Sequence, residues 1–360
     1  MPVRTPAAHT RGPARLGRLL AVPAALTVLA ACGGSSGGPA AATATATVTA
    51  SAPASPSSPA ASAAATSPGI VAVTTAGALV VLSPATGAVT ATLVPAGVVG
   101  DEVAVSASST VYFAVRRGCT DEIESVPLAG GTPVQITAGE LPALSPDGTK
   151  LAFADEPDLD GAGNCIPANP DLTPLFKLAV RTLATGAQVS YPMVPAGQDT
   201  GLPAPISHVS WAPDGQHVAV SVSAVQDNEG WNLALVNTAV AKYYLSGPGV
   251  AFVRPSGQPT PQQSYLREGI YLPDGNLFVS RACCAGEPAR NTSRLMWEVT
   301  PAGTLVHQVA IGFATEDHDS LDASADGAWL LYLGGGDLYV SRGGATPRQL
   351  ASGLIAAAFV

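Results

Sequence analysis

Four times in this chain an Asp-Gly pair falls between two short apolar runs: Pro146-Asp147-Gly148, Pro213-Asp214-Gly215, Pro273-Asp274-Gly275 and Ala325-Asp326-Gly327. Each copy precedes a stretch whose apolar residues alternate, at 150–153, 217–220, 276–279 and 329–332. Glycine reaches positive φ without steric cost, and aspartate can hydrogen-bond the backbone just beyond itself. The pair therefore reverses a chain between two strands. The copies recur at intervals of about 50 to 70 residues, the sign of a repeated antiparallel unit with insertions of varying length.

A second turn recurs later in each unit, at Ala85-Thr86-Gly87, Ala129-Gly130-Gly131, Ala184-Thr185-Gly186, Ala302-Gly303 and Gly343-Gly344. Each unit then reads as strand A, tight turn, strand B, loop, strand C, glycine turn, strand D. That is the four-stranded blade of a β-propeller. Full units begin near Asp101, Glu140, Pro205, Tyr265 and Ser320, whereas the segment from Gly69 to Val94 has three strands and lacks strand A. The chain ends in one unpaired apolar run, 354–360, which aligns with strand A of the other units. Supplying that strand to the first blade closes the ring and removes two exposed sheet edges. The expectation is an all-β, six-bladed propeller over 69–360. With 38 Gly and 32 Pro, and no sustained 3.6-residue period beyond residue 31, a helical fold is excluded.

The Ser-Pro-Asp-Gly turn followed by an apolar strand resembles the blades of TolB-like propellers and their WD-repeat-like relatives. The resemblance spans nearly all of 69–360 and implies fold rather than activity, because propellers host many unrelated functions. No counterpart of the amino-terminal mixed domain of that family is expected here.

Residues 1–31 carry Arg4, Arg11, Arg15 and Arg18 before an apolar stretch, the pattern of an export signal. Leu29-Ala30-Ala31-Cys32 resembles the bacterial lipobox. That resemblance implies that Cys32 is diacylated, palmitate included, and becomes the first residue of an exported protein anchored to the outer face of the cytoplasmic membrane. Residues 32–68, almost entirely Ala, Thr, Ser, Pro and Gly, cannot bury a core and read as a disordered tether. The Ala, Val and Gly bias with few lysines suggests a high-GC, actinobacterial source.

Removing the signal takes four arginines and no acidic residue, so the formal charge falls from −9 to −13. Such a surface repels nucleic acid and anionic membranes, leaving the acyl chains as the membrane contact. The partners expected are an envelope protein, a peptide or a glycan, with the chain itself a monomer.

Four cysteines follow the anchor: Cys119, Cys165, Cys283 and Cys284. An even number outside the cytoplasm suggests disulfides, and three pairings are open. Cys119–Cys165 is favoured because both lie on B–C connections of neighbouring blades, leaving Cys283 and Cys284 vicinal or reduced. No Cys-x-x-Cys spacing points to zinc. Asp158, Asp160 and Asn164 lie in a loop with part of a calcium-loop spacing, but Pro167 stands where the bidentate glutamate belongs. No cofactor is expected beyond a weak Ca²⁺ candidate there.

The A–B and C–D turns are short, and the long insertions at 154–174, 194–204, 224–230, 248–264 and 281–294 share the other face, which marks it for recognition. Polar residues near the start of strand A face the central channel: Asp101, Glu102, Glu140, His208, Arg267, Glu268, Asp317, His318 and Asp319. These form the candidate binding set, suited to a cation or a basic ligand group. The four tryptophans are assigned to packing between blades. Linear signatures of a nucleophile elbow, a zinc protease or a phosphate loop are absent. The reading favours a binding or scaffold module. Its alternative is a propeller hydrolase or lyase using His208, His318, Asp317 and Asp319 at the channel mouth, with a divalent cation.

Overall fold

The computed structural model describes residues 68–155 except 107, 177–195, 206–222, 232–254, 266–281, 295–310, and 318–360 except 344. The export signal, Cys32, the tether, the calcium-like loop and the cysteines after Cys119 therefore lie outside the described residues.

All regular structure among the described residues is β. Blade 1 holds β1 (Ile70–Thr74), β2 (Leu79–Leu82) and β3 (Val89–Val94), and blade 2 holds β4 (Val98–Val105), β5 (Thr110–Arg117), β6 (Thr120–Pro127) and β7 (Val134–Ala138). Blade 3 runs through β8 (Glu140–Leu144), β9 (Lys150–Asp155), β10 (Lys177–Thr182) and β11 (Gln188–Pro192). Blade 4 has β12 (Ile206–Trp211), β13 (His217–Val222), β14 (Asn232–Asn237) and β15 (Val250–Phe252). Blade 5 has β16 (Leu266–Tyr271), β17 (Leu277–Arg281), β18 (Leu295–Val299) and β19 (Leu305–Ala310). Blade 6 has β20 (His318–Ala323), β21 (Trp329–Gly334), β22 (Asp337–Arg342) and β23 (Arg348–Ser352), and β24 (Leu354–Phe359) ends the chain.

Six four-stranded antiparallel sheets result, and the first has the order β24-β1-β2-β3. The last strand of the chain thus supplies the inner strand of the first blade, with Ile70 opposite Phe359, Val71 opposite Ala358 and Ala72 opposite Ala357. The inner strands contact one another in succession, β24 with β4, β4 with β8, β8 with β12, β12 with β16, β16 with β20 and β20 with β24. The ring closes as the repeat predicts.

The tight turns take the form that their sequence dictates. Gly148 N–H bonds the Ser145 carbonyl at 2.8 Å, and Gly148 sits at φ +67°. Asp147 Oδ1 accepts from the Ser145 hydroxyl, the Thr149 N–H and the Thr149 hydroxyl at 2.6, 3.0 and 2.8 Å. These bonds hold the Asp147 carboxyl down at about 2, the Ser145 contact contributing most. Blade 2 makes the equivalent turn without Asp-Gly, placing Ser109 at φ 60°. That substitution hid its turn from the motif.

Between blades the core divides into six apolar clusters, one for each interface of the ring. Alternation along a strand sends successive side chains to opposite interfaces. Val71 and Val73 pack toward blade 2, while Ile70 and Ala72 pack toward blade 6. Trp211 fills the wedge between blades 3 and 4, its indole N–H donating to the Ala143 carbonyl at 3.0 Å. Phe278 and Tyr332 meet between blades 5 and 6 with ring centroids 5.7 Å apart. Trp297 and Trp329 also border inter-blade clusters, as expected of packing residues, and Trp231 lies outside the described residues.

Candidate functional site

Every inner strand of blades 2 to 6 carries a β-bulge near its start. The register shifts between Val99 and Val103, Glu140 and Ala143, Ile206 and His208, Leu266 and Glu268, and His318 and Ser320. A bulge inserts an unpaired residue, twists the strand and re-aims the next side chain. In blades 4, 5 and 6 the inserted residues are Ser207, Arg267 and Asp319. Asp101 and Glu140 hold the same sequence position relative to the turns of blades 2 and 3.

In blades 4, 5 and 6 the residue after the inserted one, with its counterparts by sequence position in blades 2 and 3, forms an inner ring. Counting back six positions from the turn residues Ser108, Asp147, Asp214, Asp274 and Asp326 gives Glu102, Leu141, His208, Glu268 and Ser320. All five are buried, although four are polar. Burying a charge is unfavourable unless another charge or hydrogen bond offsets it. Here His208 Nδ1 pairs with Glu102 Oε1 between blades 2 and 4. The Glu268 backbone N–H donates to Ser280 Oγ at 3.1 Å. Ser320 Oγ donates to the Ala357 carbonyl at 3.1 Å, tying blade 6 to the closing strand.

Two residues farther along β20, Asp322 completes the group. Its Oδ2 accepts the Phe359 N–H at 2.7 Å and its Oδ1 accepts the Ala323 N–H at 2.8 Å. Burial pushes the Asp322 carboxyl up to about 6 against these bonds. For His208, burial favours the neutral ring, but the Glu102 carboxylate, aided by Glu268 and Asp322, outweighs it and raises the imidazole above its ordinary value. Three acids and one histidine from four blades thus lie close together, and Asp322 and His208 respond both to burial and to the neighbouring charges.

A cavity of about 630 Å³ leads to this group. Its walls include Ala104, Ala143, Ile270 and Phe359, and its deeper lining includes Glu102, His208, Ser320 and Asp322. It reaches the tight-turn face, where Ser109, Pro146 and Ala325 line it. The long insertions lie largely outside the described residues. A second cavity, about 730 Å³, lies between blades 4 and 5 beside Asp214, His217 and Asn237. There His217 bridges Asp214 at 2.5 Å and Asn237 at 3.1 Å, so both ring nitrogens are engaged in fastening the turn to its strand.

The structure therefore brings together Glu102, His208 and Glu268 from the sequence-derived set. It places Asp101, Glu140, Arg267 and Asp319 one position earlier, at the bulges, and His318 at the start of β20. Asp317 lies outside the described residues. Ser320 and Asp322 were missed. Their signal is a polar residue inside an inner strand at a fixed distance before the turn aspartate. Among the described residues no three His, Cys, Asp or Glu side chains converge closely enough to hold a metal ion. Cys119 occupies the β5–β6 turn and is disulfide-bonded, while Cys165, Cys283 and Cys284 lie outside the described residues.

A closed ring of six four-stranded blades around a polar-floored channel defines a six-bladed β-propeller. Comparison with solved structures agrees on the fold. TolB from Acinetobacter baumannii superposes with a TM-score of 0.50 at 13% identity over 81% of this chain, which spans 65% of the TolB chain. Putative TolB from Agrobacterium tumefaciens matches with a TM-score of 0.42 at 13% identity, over 67% of this chain and 80% of that one. An oligogalacturonate lyase in complex with manganese matches with a TM-score of 0.47 at 15% identity, over 76% and 70% of the two chains. No family model and no curated protein matches the sequence. At these identities the likeness is one of fold.

Proposed function

We propose that this chain is an exported, lipid-anchored binding module that holds a protein, peptide or glycan partner at the mouth of its central channel. The observation that carries the reading is the inner ring. The position six residues before each turn holds Glu102, Leu141, His208, Glu268 and Ser320, all buried and four of them polar, and Glu102, His208 and Ser320 line an open cavity. A position needed only for packing would be filled with apolar side chains, as the wedges between blades are. Channels of this kind accept ligands in a cleft with few, well-placed polar groups.

Anchoring follows from Cys32 and its lipobox-like context, with residues 1–31 as export signal and 32–68 as tether. An export route also suits disulfide formation at Cys119, for which Cys165 is the proposed partner. The low positive charge supports an envelope partner over nucleic acid.

The test is site-specific photo-crosslinking in the producing cells. A photo-reactive residue at Ala325, on the channel mouth, should give a discrete adduct. The same probe at Val189, exposed on the outer edge of blade 3, should give none. Adducts at Val189 alone would place the working surface elsewhere.

A further inference from the structure

The floor of the channel cavity holds a histidine nitrogen with nothing to bond. His208 lines the cavity with 6% of its side chain exposed, and its Nε2 has no hydrogen-bond partner among the described residues. Buried polar atoms are nearly always paired, so one left unpaired at a cavity marks a place for a ligand atom. The Glu102 carboxylate faces Nδ1 and keeps a proton there. Nε2 is then a lone pair on the neutral ring and an N–H on the charged one. Asp322 lines the same cavity, near enough for its charge and that of His208 to act on each other. Its oxygens accept the Phe359 and Ala323 N–H groups, and each has a second lone-pair direction.

These atoms narrow the ligand. An anion would face Glu102 and Asp322 in a cavity that no Lys or Arg lines among the described residues. An ammonium has only donors and cannot meet the Nε2–H of a charged ring. A metal ion needs ligands gathered around one point, and among the described residues no three such side chains converge. A hydroxyl both donates and accepts, so it bonds Nε2 in either state of the ring and can also donate to a carboxylate. Higher in the cavity, Ser210 accepts the Tyr271 N–H at 3.0 Å and donates to no described residue, which leaves its own proton for a ligand oxygen. The walls at Ala104, Ala143 and Ile270 are apolar.

We propose that the channel floor is a subsite for the hydroxyl groups of a neutral saccharide. One hydroxyl bonds His208 Nε2, a second donates to Asp322, and the C–H face of the sugar ring lies against the alanine and isoleucine walls. This deepens the binding-module reading and rests on it, taking the glycan from the three kinds of partner. The cavity, about 630 Å³, falls within the range of small-ligand sites.

The chemistry of the Ala325 photo-adduct tests this. The cross-linked peptide is digested out and fragmented in a mass spectrometer, and fragment ions of uncharged sugars are expected. Amino-acid fragments alone, or fragments of acidic sugars alone, would overturn the saccharide subsite and leave the binding module standing. Absence of any adduct at Ala325 would remove both. The second measurement is retention of neutral oligosaccharides, released from the envelope of the producing cells, on the immobilised full chain. His208→Phe should weaken retention at least tenfold. Asp322→Asn, the milder change, should weaken it at least threefold and serves if the first variant does not fold. No retention of the neutral fraction, or wild-type retention by a folded variant, would overturn the proposal.

Discussion

The wedges between blades and the ring around the channel are built from the same strands, yet they obey different rules. Along β12, Val209 and Trp211 enter the apolar wedge against blade 3, while His208 and Ser210 line the channel. Wedge residues are interchangeable in kind, drawn from Val, Leu, Ile, Ala and aromatics, and six clusters of similar make-up hold six blades. Ring residues share one sequence position relative to the turn and differ in chemistry. The contrast teaches that stability is distributed around the propeller and that chemical individuality is concentrated at its axis.

The contrast can be broken most severely at the closure. Removing 354–360 deletes β24, strips β1 of one of its two partners and exposes both neighbouring clusters. Each blade depends on its neighbours for burial. The expected outcome is loss of the cooperative thermal transition by circular dichroism. A truncated chain that melts as the parent does would show that the ring does not need its closing strand.

A single wedge substitution should cost less, though still a large amount. Leu331 is fully buried between blades 6 and 1. Leu331→Ala removes methyl groups and leaves a cavity, for an expected loss of about 2–5 kcal/mol in denaturant unfolding. A loss well below that range would mean that the wedge collapses around the gap.

The ring should reveal itself through pH rather than through large stability losses. Asp322 titrates near 6 in the folded chain against an ordinary 3.8, and His208 is also raised. A raised folded pKa adds stability at low pH that is lost as pH rises through the folded value. The turn aspartates Asp147, Asp214 and Asp326 are held low and act in the opposite sense, their contribution disappearing as pH falls through their folded values. The melting temperature should therefore peak on the acid side of neutrality, between about pH 4 and 6. Asp322→Asn should flatten the decline above that peak and leave the acid limb unchanged. An unaltered alkaline limb would remove Asp322 from the account.

Legibility in the sequence followed the same division. The wedges and turns were readable because alternation and Asp-Gly are local signals, and even the closing strand could be placed by counting. The ring was half readable. Glu102, His208 and Glu268 stood out as charges near strand starts, but so did Asp101, Glu140, Arg267 and Asp319, and only the bulges separate the two groups. A bulge leaves no residue signature of its own in these strands. Asp322 and Ser320 escaped because their role depends on the neighbouring blade and on β24, contacts set by the closed ring and not by local sequence. The tight turns and long insertions suggested the loop-rich face for recognition, whereas the cavity opens among the tight turns. Channel shape is a property of the whole ring, and no single repeat encodes it.

The central claim is that the polar ring serves binding and is not required for the fold. The direct measurement is the pair Glu102→Leu with His208→Leu, assayed together for melting temperature and for the photo-adduct at Ala325. Replacing a buried ion pair with apolar side chains of similar volume is often neutral or stabilising. The account predicts an unchanged or raised melting temperature with the adduct abolished. A sharply lowered melting temperature with the adduct retained would contradict it.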